Sequence, residues 1–137
     1  MKIVDSAVRK GFRDLPREQR KHIGDAIRKS SLEGLRWMRT LAPSDTGELK
    51  AEMHVKFEAS DTGIIASVEA AKVDKASQIK ANTLEGGRKY REGVKTPFRG
   101  RSEGYYFVNR SRSLLGPKHA SRISRAMVKA MKGAGWK

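Results

Sequence analysis

The chain reads as an α+β protein in which a long N-terminal helix packs on an antiparallel sheet, followed by a long basic loop and a C-terminal amphipathic helix. Three observations carry that expectation. Apolar residues recur at three- and four-residue steps up to Leu41, the helical period. Residues 49–58 then alternate apolar and polar without a fault, the period of a half-buried strand. Between residue 116 and the end, apolar positions return to helical spacing in a strongly basic setting.

Residues 3–13 (Ile3, Val4, Ala7, Val8, Phe12) have spacing that suits either a short helix or a strand leading into one. Asp14-Leu15-Pro16 reads as a helix start, since aspartate is a good N-cap and proline belongs in the first turn. Ile23, Ile27, Gly34/Leu35, Met38 and Leu41/Ala42 form the apolar stripe, with Arg17, Arg20, Lys21, Arg28, Lys29, Arg36 and Arg39 mostly elsewhere on the cylinder. Such a helix is about 40 Å long at 1.5 Å per residue, wider than a small domain. One end is therefore expected to project or to pack on a neighbouring subunit.

Ala42-Pro-Ser-Asp-Thr-Gly-Glu-Leu49 is the hinge from helix to strand. Pro43 cannot continue the helical hydrogen bonds, Ser44 and Asp45 favour a turn, and Gly47 tolerates φ > 0. In 49–58, Leu49, Ala51, Met53, Val55 and Phe57 take the buried face, and Lys50, Glu52, His54, Lys56 and Glu58 the wet one. A turn at 59–63 and a return strand over 64–70 complete an antiparallel hairpin, with the long helix as its cover.

Residues 71–85 fit helix or loop. Residues 86–104 hold five glycines and six basic residues with no sustained period, and read as a long mobile loop. Tyr105-Tyr-Phe-Val-Asn109 has strand composition. Gly116-Pro117 is expected to open the last helix, with Ala120, Ile123, Met127 and Ala130/Met131 on its apolar face and Gly133 as its C-cap.

At 137 residues the whole of 1–137 reads as a single domain, 86–104 being its mobile basic loop. The chain has no cysteine, which excludes disulfides and thiolate chemistry. No apolar run approaches the roughly 18 residues of a membrane span, and the N-terminus lacks a signal-peptide core, so a soluble protein made in the cytoplasm is expected, with no membrane partner. The formal charge is +15. Residues 1–85 carry 16 Lys/Arg against 13 Asp/Glu, and residues 86–137 carry 14 against 2. A nearly neutral body thus bears a basic last third, which points to a polyanion or an acidic protein neighbour, beside the plain reading of a solvated face.

Catalytic chemistry finds no support in the residues. Ser-Asp-Thr-Gly occurs at 44–47 and 60–63, and paired Asp-Thr-Gly motifs suggest an aspartic protease. There the two carboxylates must share one proton. Here they sit at opposite ends of one expected strand, roughly 30 Å apart at about 3.3 Å per residue, and both read as turns. His22, His54 and His119 show no ligand spacing, and no phosphate loop or nucleophile elbow is present, so no metal, cofactor or enzymatic activity is expected.

What remains is cationic. Arg88, Lys89, Arg91, Lys95, Arg99 and Arg101 in the loop, with Arg122, Arg125 and Lys129 in the last helix, are candidates for contact with DNA or an acidic partner. Tyr90, Phe98, Tyr105, Tyr106 and Phe107 lie among them, suited to base stacking or, for 105–107 more readily, to core and subunit interfaces.

The order of features resembles the head–tail joining, or tail-completion, morphogenesis proteins of long-tailed double-stranded DNA phages. The likeness covers most of residues 1–85: Leu15-Pro16, a long helix, then Pro43, Asp45, Thr46, Gly47, Leu49 and an alternating strand. Ala81, Glu85-Gly86 and Pro97-Phe98 follow the family's later pattern, although its Tyr-Ala tyrosine is missing and 71–115 departs from it. The resemblance implies a non-enzymatic virion protein of the neck or tail end, made in the bacterial host cytoplasm. It further implies a homo-oligomeric ring of six or more subunits around the DNA channel, joining a head connector to tail proteins. A tail-terminator ring and a free-standing, non-specific nucleic-acid-binding protein are the alternatives.

Overall fold

A computed structural model describes residues 2–3, 15–43, 47–60, 63–87 and 104–135. In chain order the elements are β1 (Lys2–Ile3), α1 (Arg17–Leu41), α2 (Glu48–Glu52), β2 (His54–Ser60), β3 (Gly63–Glu69), α3 (Lys75–Gly86) and α4 (Phe107–Gly133). The α+β class and both long helices are as expected.

The α1 helix forms where apolar and small residues line one face: Ile23, Ala26, Ile27, Ser30, Ser31, Gly34 and Met38 are buried. Its N-cap position is taken by Pro16, with no side-chain cap, and Asp14 lies outside the described residues. The carbonyl of Pro16 still accepts the N–H groups of Gln19 (2.9 Å) and Arg20 (3.2 Å), closing the first turn.

α1 does not stand alone. α4, a helix of 27 residues beside the 25 of α1, runs antiparallel along it. Gln19 lies against Gly133, Ser30 meets Arg122, and Lys118 sits over the Trp37 ring, which fixes the direction. A helix about 37 Å long at 1.5 Å per residue thus finds its cover within the chain. The partner that covers its stripe is α4, which the sequence reading does not assign to it.

The core divides into two clusters, one toward each end of this helix pair. One holds Leu15, Ile23, Ala26, Ile27, Ala66, Ile123 and Ala130. The other holds Met38, Ala42, Leu49, Met53, Val68, Ala81 and Phe107. Each large apolar side chain fully buried contributes roughly 1.5–3 kcal/mol of transfer free energy. Between the clusters the helix interface turns polar, with Ser30, Ser31, Glu33 and Arg122.

The hairpin pairs β2 and β3 antiparallel from His54↔Glu69 to Ser60↔Gly63, and β1 joins the other edge of β3 through Lys2↔Ser67 and Ile3↔Ala66. The sheet order is β1-β3-β2. Ala66 and Val68 are buried, and Val55, Phe57 and Ile64 pack against the two clusters, so this face meets the helices. On the other face His54 and Lys56 both approach the Glu69 carboxylate, at 3.2 and 3.0 Å.

Four sequence expectations need correction. The strand begins at His54, because residues 48–52 form the short helix α2, and Ala51 is exposed. Leu49 and Met53 satisfy a helical i, i+4 spacing as well as an alternating one, and both are buried in the second cluster. Tyr105-Tyr-Phe-Val-Asn109 is not a strand: α4 starts at Phe107, after Tyr106 in the left-handed conformation (φ 50°). Gly116-Pro117 does not open α4 but lies inside it. Gly116 has no Cβ to meet the proline ring, which lowers the steric cost of a helical residue before proline. Finally, α4 runs through Gly133 to a C-cap at Ala134, and Gly135 carries the positive φ of 79°.

Residues 71–85, open between helix and loop in the sequence, are mostly helical. α3 starts at the Asp74 N-cap, whose carboxylate accepts the Ser77 N–H at 2.8 Å. That bond holds the Asp74 carboxyl below its ordinary range.

Candidate functional site

Six of the candidate contact residues, Arg88, Lys89, Arg91, Lys95, Arg99 and Arg101, lie outside the described residues. The ends of the segment that carries them are described, and they lie side by side. Tyr105 N–H donates to the Leu84 carbonyl (2.8 Å) and Tyr106 N–H to that of Glu85 (3.1 Å). A methyl group added at Gly104 would collide with the backbone of Glu85, Gly86 and Gly87. The Glu85 carboxylate then accepts the N–H groups of Val108 (2.8 Å) and Asn109 (3.1 Å). The N-cap residue Tyr106 supplies no side-chain bond, so an acid from the preceding helix caps α4 in its place, at the positive end of the helix dipole. Residues 84–87 and 104–106, which flank 88–103, therefore meet at one point of the fold.

Asp45 and Thr46 lie outside the described residues; Pro43 is half-buried. Gly47 has φ 74°, the conformation its lack of Cβ permits, and Leu49 is buried. Arg39 donates to the Met53 carbonyl at 2.8 Å, tying the end of α1 to the start of β2. Lys80 and Glu48 pair at 2.8 Å, tying α3 to α2.

The three remaining candidates, Arg122, Arg125 and Lys129, come together on α4, and α1 completes their site. A groove of about 410 Å³ between the helices is lined by His22, Asp25, Ala26 and Lys29 from α1 and by Arg122, Arg125, Ala126 and Lys129 from α4. The two helices contribute the same pattern. His22, Asp25 and Lys29 stand at i, i+3 and i+7, flanking the buried Ile23, Ala26 and Ile27. Arg122, Arg125 and Lys129 repeat that spacing, flanking Ile123 and Ala130. Residues so spaced share one helix face, and the antiparallel run sets the two polar rows along one seam.

The cations of the groove differ in state. Arg122 is engaged: it donates to Glu33 at 2.6 Å and to the Ser30 hydroxyl at 2.9 Å. Lys118 reaches the other Glu33 oxygen at 3.3 Å. The Arg122 hydrogen bond above all holds the Glu33 carboxyl below its ordinary range, against the opposing effect of burial, with Lys118 adding to it. Arg122 is thus a fixed wall of the groove. Lys29, Arg125 and Lys129 are exposed, and Arg125 donates a long bond (3.3 Å) to the Ser121 carbonyl of its own helix. Four cationic side chains face one carboxylate, Asp25, in the groove lining.

The sequence reading does not place His22, Asp25 and Lys29 among the contact candidates: Lys29 is one of several cations off the α1 stripe, and His22 is weighed only as a metal ligand. Their signal was positional: a polar residue repeated at i, i+3 and i+7 beside an apolar stripe, matched on the other long helix.

Among the described residues no cluster of three or more His, Cys, Asp or Glu side chains could hold a metal ion. No described helix is long and apolar enough to cross a membrane. The chain matches no protein-family model, and no curated protein or solved structure is significantly similar to it.

Proposed function

We propose that the chain is a non-enzymatic structural subunit of the head–tail interface of a long-tailed double-stranded DNA phage, assembling as a ring around the DNA passage. The observation that carries the reading is the order of a long helix, the sequence Ala-Pro-x-Asp-Thr-Gly-x-Leu and, after the short helix α2, an antiparallel hairpin, followed by a basic third of the chain. Two features of the fold support it. β2 is an edge strand of seven residues, and a sheet edge is a ready surface for a head-to-tail contact between identical subunits. The exposed cations of the groove suit a subunit that faces a polyanion. In this reading the head connector and the tail proteins are its neighbours, and the virion neck or tail end its place. A tail-terminator ring is a variant of the same reading.

Electron microscopy and mass measurement of assembled particles test it. The chain is expected as a closed ring at the neck or tail end, and a chain that stays monomeric within finished particles rejects the proposal. The groove also favours a second reading, a free-standing non-specific nucleic-acid-binding protein. That reading predicts tight duplex binding by a chain found in no particle.

A further inference from the structure

We infer that the groove between α1 and α4 is a binding site for the phosphodiester backbone of double-stranded DNA, with Lys29, Arg125 and Lys129 as its contact residues. The inference rests on the DNA-facing reading above only in its choice of ligand. The site itself stands on three observations.

The first is composition across two elements. Lys29 on α1 and Arg125 and Lys129 on α4 converge on one groove of about 410 Å³, although 96 residues separate Lys29 from Arg125 in sequence. The second is the state of the cations. Arg122 is taken up by Glu33 and Ser30, whereas Lys29, Arg125 and Lys129 are exposed at the rim. An anion reaching the groove therefore meets three exposed cations beside one engaged by Glu33 and Ser30. The third is scale. Residues i to i+7 span about 10 Å of helix axis at 1.5 Å per residue. One DNA strand carries a phosphate about every 3.4 Å of axis. One strand also winds about the axis between phosphates, so a straight row of this length meets about two successive phosphates rather than a single ion.

The lining also says how the duplex is held. Among the described residues it contains no Phe, Tyr or Trp, and so no platform for stacking on unpaired bases. Lysine and arginine on phosphates fix position without reading sequence. The groove therefore holds duplex backbone without sequence preference. Asp25, an exposed carboxylate of the same lining, works against binding.

The experiment is fluorescence anisotropy of the full chain with a labelled duplex of about 20 base pairs, titrated with KCl over roughly 50–200 mM. Each of Lys29→Gln, Arg125→Gln and Lys129→Gln is expected to reduce the slope of log K against log[salt] by about 0.9. Arg112→Gln, an exposed change nearer the N-terminal end of α4, should alter binding less than any of the three. Asp25→Asn should tighten it several-fold. Two duplexes of different sequence should bind alike.

A wild-type chain that does not bind duplex at the lowest salt overturns the inference, and so does a triple groove variant with an unchanged slope. Potassium phosphate supplies the remaining arm. Displacement no stronger than by chloride at equal ionic strength supports a duplex site, whereas far stronger displacement makes the groove a phosphate-ion pocket and overturns the duplex assignment. A ring absent from particles would reject the head–tail reading while leaving these binding results standing.

Discussion

The Glu85 carboxylate accepts the backbone N–H of Val108 at 2.8 Å, across 23 residues of sequence, and with its second oxygen takes Asn109. One acidic side chain at the end of α3 thereby starts α4 and closes the base of the segment between them. A helix start needs acceptors for its first N–H groups, and here the acceptor is not the residue that precedes the helix.

Glu85→Ala is expected to destabilise the fold by roughly 1–2 kcal/mol, the cost of a lost cap with a favourable dipole contact. Urea unfolding measures it. Glu85→Gln keeps one acceptor and should recover part of the loss. Equal stability of the Ala variant and the parent chain would show that water replaces the carboxylate without penalty.

The backbone of Gly104 abuts that of Glu85, Gly86 and Gly87, so the described ends on either side of 88–103 lie together. Excising residues 88–103 and joining Gly87 to Gly104 through a short glycine linker should leave the helical circular dichroism and cooperative unfolding intact. Gly104→Ala, in the full chain, should by contrast be destabilising, since its Cβ meets main chain that cannot rotate away. Loss of cooperative unfolding in the excised chain would mean that the segment contributes to the core. The excised chain also isolates the groove from the six loop cations in any DNA measurement.

The Glu33–Arg122 pair predicts an acid sensitivity. The Glu33 carboxyl is held below its ordinary value of 4.5 by Arg122 first, then by Lys118. A carboxyl whose folded pKa is depressed favours the fold at pH above its unfolded value, and that contribution is lost as pH falls through about 4.5 toward the folded pKa. Glu33→Gln should therefore flatten this part of the stability profile and converge with the parent chain at lower pH. Arg122→Met should cost roughly 1–3 kcal/mol at neutral pH, the range for a partly screened, hydrogen-bonded ion pair. Profiles for the parent and Glu33→Gln that run parallel from pH 6 to about pH 3 would remove the pair from this role.

Pro117 sits inside α4 and cannot donate a hydrogen bond to the preceding turn. Pro117→Ala is expected to raise stability by roughly 1–3 kcal/mol, restoring one bond and removing a ring clash on an exposed face. Thermal unfolding reads this directly. A lowered melting temperature would mean that a bend at this proline is needed for α4 to follow α1.

Local chemistry carried much of this protein on its face. The stripe Ile23, Ile27, Met38 determined α1, because a helical period buries one side wherever the partner comes from. The return strand expected over 64–70 is β3, paired with β2 from His54↔Glu69 to Ser60↔Gly63. Burial of Leu49 and Met53 was legible too, but not their conformation, since spacings of two and four residues coincide at positions i and i+4. Gly116-Pro117 and the aromatic run 105–109 misled for the opposite reason. Their local preferences for a turn and a strand are worth about a kilocalorie or a few, and helix–helix packing along the whole of α1 outweighs them.

Tertiary structure alone decided three things. It supplied α1 with α4 as a cover, so that the long helix needed no neighbouring subunit to bury its stripe. It gave α4 its cap from Glu85, and Arg122 its partner in Glu33, 89 residues away. And it joined two ordinary-looking i, i+3, i+7 rows, His22, Asp25 and Lys29 with Arg122, Arg125 and Lys129, into one groove. Periodicity tells which face of each helix is buried, because that depends only on neighbours along the chain. Which helix it is buried against, and which charges meet at the rim, depends on contacts between residues some ninety positions apart, and no local preference encodes those.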